Sequence, residues 1–380
     1  MEKNIDCKVT KYCGGCQLSH LKYEEQLALK QESLKKLLGK FNKVNPVIGM
    51  EIPFRYRNKV QVTFDKVNGK VVYGNYVPST HAIVAIKDCA ICDEKSMQII
   101  SYIKSLVVKY HVSVFDEYTY KGCIRHVMVR STNSGEYMVV FVTGTPMLYK
   151  KEEICRDLVK KFPEIKTIVQ NMNNKHTSMV LGDRSIPIYG NGYITEELLG
   201  LKFRLSTSAF FQVNKEQTAK LYQTAIDFAG LTGKEVVIDA YCGTGTIGLC
   251  MAKKVKKVIG VELNEKAIKD ANFNMKHNKI KNAEFIADDA GRFMNRLAKE
   301  KVSVDTVVMD PPRAGSDIKF MNALLTLKPK KIVYVSCNPV TLKNNLDYLC
   351  KKMYKVVKIQ PVDMFPFSEH VETVVLLSNR

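Results

Sequence analysis

Val236-Val237-Ile238-Asp239-Ala240-Tyr241-Cys242-Gly243-Thr244-Gly245-Thr246-Ile247-Gly248 is the stretch that decides the fold. A β-branched apolar run ends in an acid and breaks into a glycine loop, the pattern of a strand entering a helix through a tight turn. Glycines there let the backbone approach a ligand closely. A helix over 215–229 precedes the stretch. From it to the end of the chain two periods alternate. Strands are expected at 235–240, 257–262, 283–286, 304–309, 331–335, 355–361 and 371–377, and helices at 246–252, 264–277, 316–325 and 340–350. Such alternation predicts a doubly wound α/β domain, with its ligands at the carboxyl ends of the strands.

The strand ends carry the chemistry. Glu262 closes the second strand, 23 residues after Asp239. An acid there can accept both ribose hydroxyls of an adenosine moiety, which suits NAD or S-adenosylmethionine (SAM). Asp239 ahead of the glycines favours SAM. So does Asp310-Pro311-Pro312-Arg313 after the fourth strand, which resembles a motif of methyltransferases acting on nucleic acid. Enzymes that methylate exocyclic amines usually place an aromatic residue where this chain has Arg313, so another group must activate the target. Cys337 is that candidate. It follows the apolar run Lys331-Ile332-Val333-Tyr334-Val335 and precedes an Asn338-Pro339 turn. The alternative is an inert core thiol.

Net charge is +20, from 58 Lys and Arg against 38 Asp and Glu, which points to a polyanionic partner. Met1-Glu2-Lys3-Asn4 leads into no apolar leader, and no apolar run approaches membrane-spanning length. A cytoplasmic protein with no membrane partner and no obligate protein partner is expected. Eleven cysteines in such a compartment argue for metal binding over disulfides. Three form Cys7-x5-Cys13-Gly14-Gly15-Cys16, and Asp88-Cys89-Ala90-Ile91-Cys92 offers a fourth. Zinc would take Cys13 and Cys16 with Cys89 and Cys92. A [4Fe–4S] cluster would take Cys7, Cys13, Cys16 and one of the later pair.

Between these ends, 17–41 has a helical period, and 94–110 and 150–162 are further helices. Pro53-Phe54-Arg55-Tyr56-Arg57-Asn58-Lys59 is basic and aromatic, either an RNA-facing strand or an ordinary edge. Asn68-Gly69 marks a hairpin, and 124–131 pairs with 137–144. The expected division is a cysteine-rich segment with a helix at 1–41, an α+β RNA-binding domain at 42–195 and a catalytic domain at 196–380.

Jointly the cysteine motif, Phe211-Gln212-Val213-Asn214, Asp239-x-Tyr241-Cys242-Gly243-x-Gly245, Asp310-Pro311-Pro312-Arg313, Ser336-Cys337-Asn338-Pro339 and Asp363-Met364-Phe365-Pro366 with His370-Val371-Glu372 resemble the RNA uracil-C5 methyltransferase family over nearly the whole chain. The amino-terminal cysteines make it similar to the 23S ribosomal RNA branch, which carries a [4Fe–4S] cluster. The resemblance implies a Rossmann-like SAM-dependent methyltransferase domain. It implies SAM contacts from Gln212, Tyr241, Glu262 and Asp310, Cys337 as nucleophile and Glu372 as base. It also implies Cys89 as the fourth cluster ligand and a helix over 17–41 that packs back on the catalytic domain. The chain departs from the family pattern in having no room before Cys7 for a β-barrel RNA-binding domain, and in having Phe367-Ser368 after Pro366.

Uracil C5 is a poor nucleophile until a thiolate adds at C6. The C5 proton must later leave, and both steps need the base splayed out of its stack. The expected activity is therefore methylation of a uridine in 23S rRNA. A tRNA uracil-C5 methyltransferase, a cytosine-C5 enzyme and a non-catalytic iron–sulfur RNA-binding protein are the alternatives. Pro312-Arg313, where cytosine enzymes usually carry a second cysteine, counts against the second of these.

Overall fold

The computed structural model describes residues 5, 7–80 and 82–380. Met1 to Asn4, read above for a leader, lie outside the described residues. Two seven-stranded sheets and a separate hairpin make the framework.

The carboxyl-terminal sheet has the strand order Ala283–Ala287, Lys257–Glu262, Val236–Ala240, Thr306–Met309, Lys331–Ser336, Glu372–Asn379, Tyr354–Val362. The first five strands are parallel, and Glu372–Asn379 runs antiparallel to both its neighbours. Strand order reverses between Val236–Ala240 and Thr306–Met309, which opens a crevice above their carboxyl ends. The expected doubly wound domain is present. One helix within it, Ala290–Lys299, was absent from the sequence reading. Its Asp289 N-cap accepts a hydrogen bond from the Arg292 amide, and its apolar face buries Phe293, Met294 and Leu297.

The other sheet runs Ile83–Ala85, Lys70–Tyr76, Lys59–Val67, Ile124–Ser131, Tyr137–Thr143, Ile165–Met172, Arg184–Tyr189. All pairs are antiparallel except Tyr137–Thr143 with Ile165–Met172. The hairpin Tyr193–Leu198 with Leu201–Ser206, also unread in sequence, spans the boundary expected at 195/196.

The helix expected over 17–41 occupies Tyr23–Leu38. Its Leu34 and Leu38 pack with Leu342, Leu346 and Leu349 of the helix Pro339–Lys352. Beyond it, Val44 and Ile48 form bridges with Ile359 and Val362 on the catalytic sheet's edge strand, although 42–195 was read as central domain. The chain joins the other sheet only at Lys59. Among the described residues no helix is long and apolar enough to cross a membrane.

Leu38 is fully buried in this docking contact. Leu38→Ala is expected to cost about 2–5 kcal/mol by cavity formation. Urea unfolding checks it: a change under about 0.5 kcal/mol, the size typical of a surface site, would show that the helix does not dock as described.

Candidate active site

Residues from five strand ends and one loop line a cavity of about 700 Å³. Gln212, Tyr241, Glu262, Asp310, Cys337 and Glu372 all line it. The six positions named from sequence, spread over 161 residues, therefore meet in one space.

The floor is the glycine loop. Asp239 ends its strand 1% exposed, and its Oδ2 accepts a 2.8 Å hydrogen bond from the Gly248 amide. A Cβ at Gly248 would sit 2.7 Å from that oxygen, so the close approach requires glycine. The other oxygen, Oδ1, is buried without a partner among the described residues. Glu262 accepts from the Gly243 amide at 3.2 Å and from the Asn264 amide at 2.9 Å, which aims its carboxylate back at the loop. Tyr241 adopts a left-handed φ of 63° and leans on Phe320, with its hydroxyl 3.1 Å from Ser316 Oγ. Gln212 is 7% exposed, and its carbonyl accepts from the Asn58 amide side chain.

Cys337 leaves the strand Lys331–Ser336 at the amino terminus of the helix Pro339–Lys352. Asn338 caps that helix by accepting from the Val340 amide. Its side-chain nitrogen donates to the Arg313 carbonyl at 3.1 Å, and Thr341 Oγ1 donates to the same oxygen. The cysteine loop is thereby tied to the Asp310–Arg313 loop. Register in the next pair, Ser336 opposite Thr373, puts Glu372 beside Cys337. Glu372 is 3% exposed.

The electrostatics are those of a cluster of acids, three of them raised by burial. Burial pushes the Glu372 carboxyl up to about 8, with the Asp310 charge adding to the effect. Burial pushes Asp310 up to about 7. Asp239 rises to about 7 from burial, then from Asp310 and Glu262, against the Gly248 hydrogen bond. Burial, Glu372 and Asp310 all raise the Cys337 thiol, while Arg313 pulls it down. A ligand that brings positive charge into this cavity relieves every one of these repulsions.

The lining also includes residues that sequence reasoning had not placed in a site, among them Arg57, Asp289 and Phe365. Arg57 lies in the basic-aromatic stretch already noted. Asp289 was recoverable as the N-cap of the overlooked helix. Phe365 sits inside the tail motif, but no spacing rule gave its direction.

Cys89 and Cys92 adjoin the cavity wall through Arg57, whose amide donates to the Ile91 carbonyl at 2.8 Å. Cys16 is raised to about 12, by burial first and then by the charges of Cys89, Cys13 and Cys7. Gly14 is left-handed at φ 64°, which turns the chain between Cys13 and Cys16. Cys92 is 8% exposed and packs against Cys89, whose thiol its hydrogen bond draws down. Among the described residues, no three His, Cys, Asp or Glu side chains stand close enough together to hold a metal ion. The donor set is nonetheless all sulfur, the chemistry that soft metals and iron–sulfur clusters select.

A family described as tRNA (Uracil-5-)-methyltransferase matches residues 22–380. An uncharacterized RNA methyltransferase of Bacillus cereus is 44% identical over 382 residues, covering 99% of this chain and 83% of the relative. One from Clostridium tetani is 43% identical over 377 residues, covering 98% and 82%. Among solved structures, the Pyrococcus abyssi tRNA (uracil-54, C5)-methyltransferase in complex with S-adenosyl-L-homocysteine superposes with a TM-score of 0.80 at 29% identity, covering 96% of this chain and 85% of that one.

The raised carboxyls predict a pH dependence. Glu372, Asp310 and Asp239 hold their protons more tightly folded than unfolded. Their contribution to stability is full below the ordinary values of 4.5 and 3.8, and it is lost as pH rises through about 7 and 8. The protein is therefore expected to melt at lower temperature at pH 8 than at pH 5. Glu372→Gln flattens the slope. Calorimetry across that range checks it, and an equally steep slope in the variant would rule Glu372 out as a source.

Proposed function

Because the chain belongs to the tRNA (uracil-5-)-methyltransferase family, we propose that it methylates C5 of a uridine in RNA, with 23S rRNA as the substrate. The observation that carries this reading is the convergence of Cys337, Glu372 and Asp310 with the glycine loop in a single cavity. The net charge of +20 supports a polyanionic substrate. The amino-terminal cysteine motif is what favours rRNA over the tRNA alternative.

Gln212, Tyr241, Glu262 and Asp310 are the residues assigned to hold SAM, and the partnerless Asp239 oxygen beneath the glycine loop fits a polar ligand in that place. When bound, SAM supplies an electrophilic methyl group and a sulfonium charge opposite in sign to the carboxylates. The chain's own groups do the rest. The Cys337 thiolate adds to uracil C6, forming a C–S bond and moving the ring π electrons toward the C4 carbonyl, which makes C5 nucleophilic. Its place at a helix amino terminus favours the thiolate. Once C5 carries the methyl group, ionised Glu372 accepts the C5 proton. The released electron pair reforms the C5–C6 double bond and expels the thiolate. Arg57 and Phe365 at the cavity wall suit a flipped base and its phosphates.

We also infer a [4Fe–4S] cluster held by Cys7, Cys13, Cys16 and Cys89. The family resemblance is what favours Cys89 over Cys92. The reaction has no redox step, so the cluster's part is structural. Zinc is the competing metal. Iron and sulfide analysis of anaerobically purified protein separates them, and zinc without iron would end the cluster reading.

The chemistry is tested with 23S rRNA transcribed with C5-tritiated uridine. Cys337→Ala is expected to abolish tritium release, a loss of at least about 1,000-fold for a removed nucleophile. Glu372→Gln is expected to accept the methyl group yet stall as a covalent protein–RNA adduct. Full activity of Cys337→Ala would sink the mechanism. Normal 5-methyluridine throughout 23S rRNA from a deletion strain would sink the choice of substrate.

A further inference from the structure

The turn between the last two strands, 363–371, carries Phe365 into the cavity and delivers the chain to Glu372. Each successive carbonyl in 363–367 accepts a hydrogen bond from outside the turn. Gln217 Nε2 reaches that of Asp363 at 3.0 Å, Asn214 Nδ2 that of Met364 at 3.0 Å, and Lys30 Nζ that of Phe365 at 3.2 Å. Tyr56 Oη reaches that of Pro366 at 3.0 Å, and the Leu18 amide that of Phe367 at 3.0 Å.

At the centre is a buried ion pair. Lys30 Nζ stands 2.6 Å from Asp363 Oδ1, with side chains 3% and 0% exposed. Tyr23 Oη donates to the other carboxylate oxygen at 2.8 Å. Gln26, one helical turn before Lys30, accepts from the Phe367 amide at 2.8 Å, where Phe367 holds a left-handed φ of 68°. A left-handed phenylalanine persists only where its surroundings over-determine it. Apolar residues of the same shape would stabilise a core as well as such a pair does. What the pair adds is direction. It fixes one oxygen of Asp363 and, through the same ammonium, the carbonyl of Phe365.

We propose that Lys30 is a positioning residue for the reaction, its ion pair with Asp363 setting the turn 363–371 so that Phe365 and Glu372 face the flipped uracil together. The helix Tyr23–Leu38 begins seven residues after Cys16, so the same contacts tie the cysteine segment to the proton-removal step. The proposal rests on the uracil-C5 reading above.

The test is single turnover with full-length protein, SAM labelled in its methyl group and 23S rRNA carrying C5-tritiated uridine. Wild type, Lys30→Met and the double variant Lys30→Met/Asp363→Leu are compared for methyl transfer, tritium release, denaturant-stable adduct and melting temperature. In both variants methyl transfer is expected to stay within about 3-fold of wild type while tritium release slows at least about 10-fold, so that adduct accumulates. The double variant is expected to recover the stability that the single one loses, without recovering tritium release. Methyl transfer and tritium release falling by one common factor with no adduct would overturn the positioning role. So would restored tritium release in the double variant. A wild-type enzyme that does neither would instead overturn the uracil-C5 reading, and this proposal with it.

Discussion

The strand Glu372–Asn379 runs antiparallel between Lys331–Ser336 and Tyr354–Val362, and the site depends on that one insertion. In a wholly parallel sheet all strands deliver their carboxyl ends to the same edge. Reversing one strand delivers its amino end there instead. Glu372, first residue of its strand, thus meets Cys337, which follows the last residue of the neighbouring one. A slip of one residue in this register would turn Glu372 to the other face of the sheet. The apolar run Val374-Val375-Leu376-Leu377 on that strand is buried on both faces, which fixes its depth and therefore the carboxylate's position.

The same insertion creates an electrostatic problem. Acids at 239, 262, 310 and 372 share a cavity with a thiol, and only a backbone hydrogen bond and the Arg313 charge pull the Cys337 thiol down. Burial settles it in favour of protons: Glu372, Asp310 and Asp239 are all raised. A base that is protonated at rest cannot accept a proton. Ionisation of Glu372 therefore has to follow the arrival of positive charge or the displacement of a neighbouring acid's charge.

The alternation of periods after 235 made the catalytic sheet legible, because each buried strand is a short β-branched run with its acid or cysteine at the end. Of the six cavity residues Glu262, Asp310 and Cys337 were legible for the same reason, while Gln212, Tyr241 and Glu372 came through the family resemblance rather than through spacing. The helix Ala290–Lys299 does carry a helical period, with Ala290, Phe293, Met294 and Leu297 at i, i+3, i+4 and i+7 behind the Asp289 N-cap, so its absence from the expected elements has no physical cause. The hairpin at Tyr193–Ser206 was missed because Glu196 and Glu197 break its alternation, and Glu196 is nonetheless 1% exposed. Its carboxylate accepts from the Asn133 and Glu197 amides, partners that no local pattern reveals.

Long-range placement of the amino-terminal segment was the least legible feature from the residues alone. A helix with leucines on one side says that it packs, not on what. The deciding groups are polar: the Tyr23 hydroxyl, on a residue that belongs to the apolar stripe, and Gln26 and Lys30, which hydrophobic periodicity assigns to solvent, all lie on the buried face of Tyr23–Leu38. Each finds its partner more than 330 residues away in the turn after Val362. Arg57 makes the second connection, lining the reaction cavity while its charge acts on Cys16, Cys89 and Cys92. A segment remote in sequence from every catalytic motif is in this way built into two walls of the site, one through the turn that carries Phe365 and one through a single guanidinium.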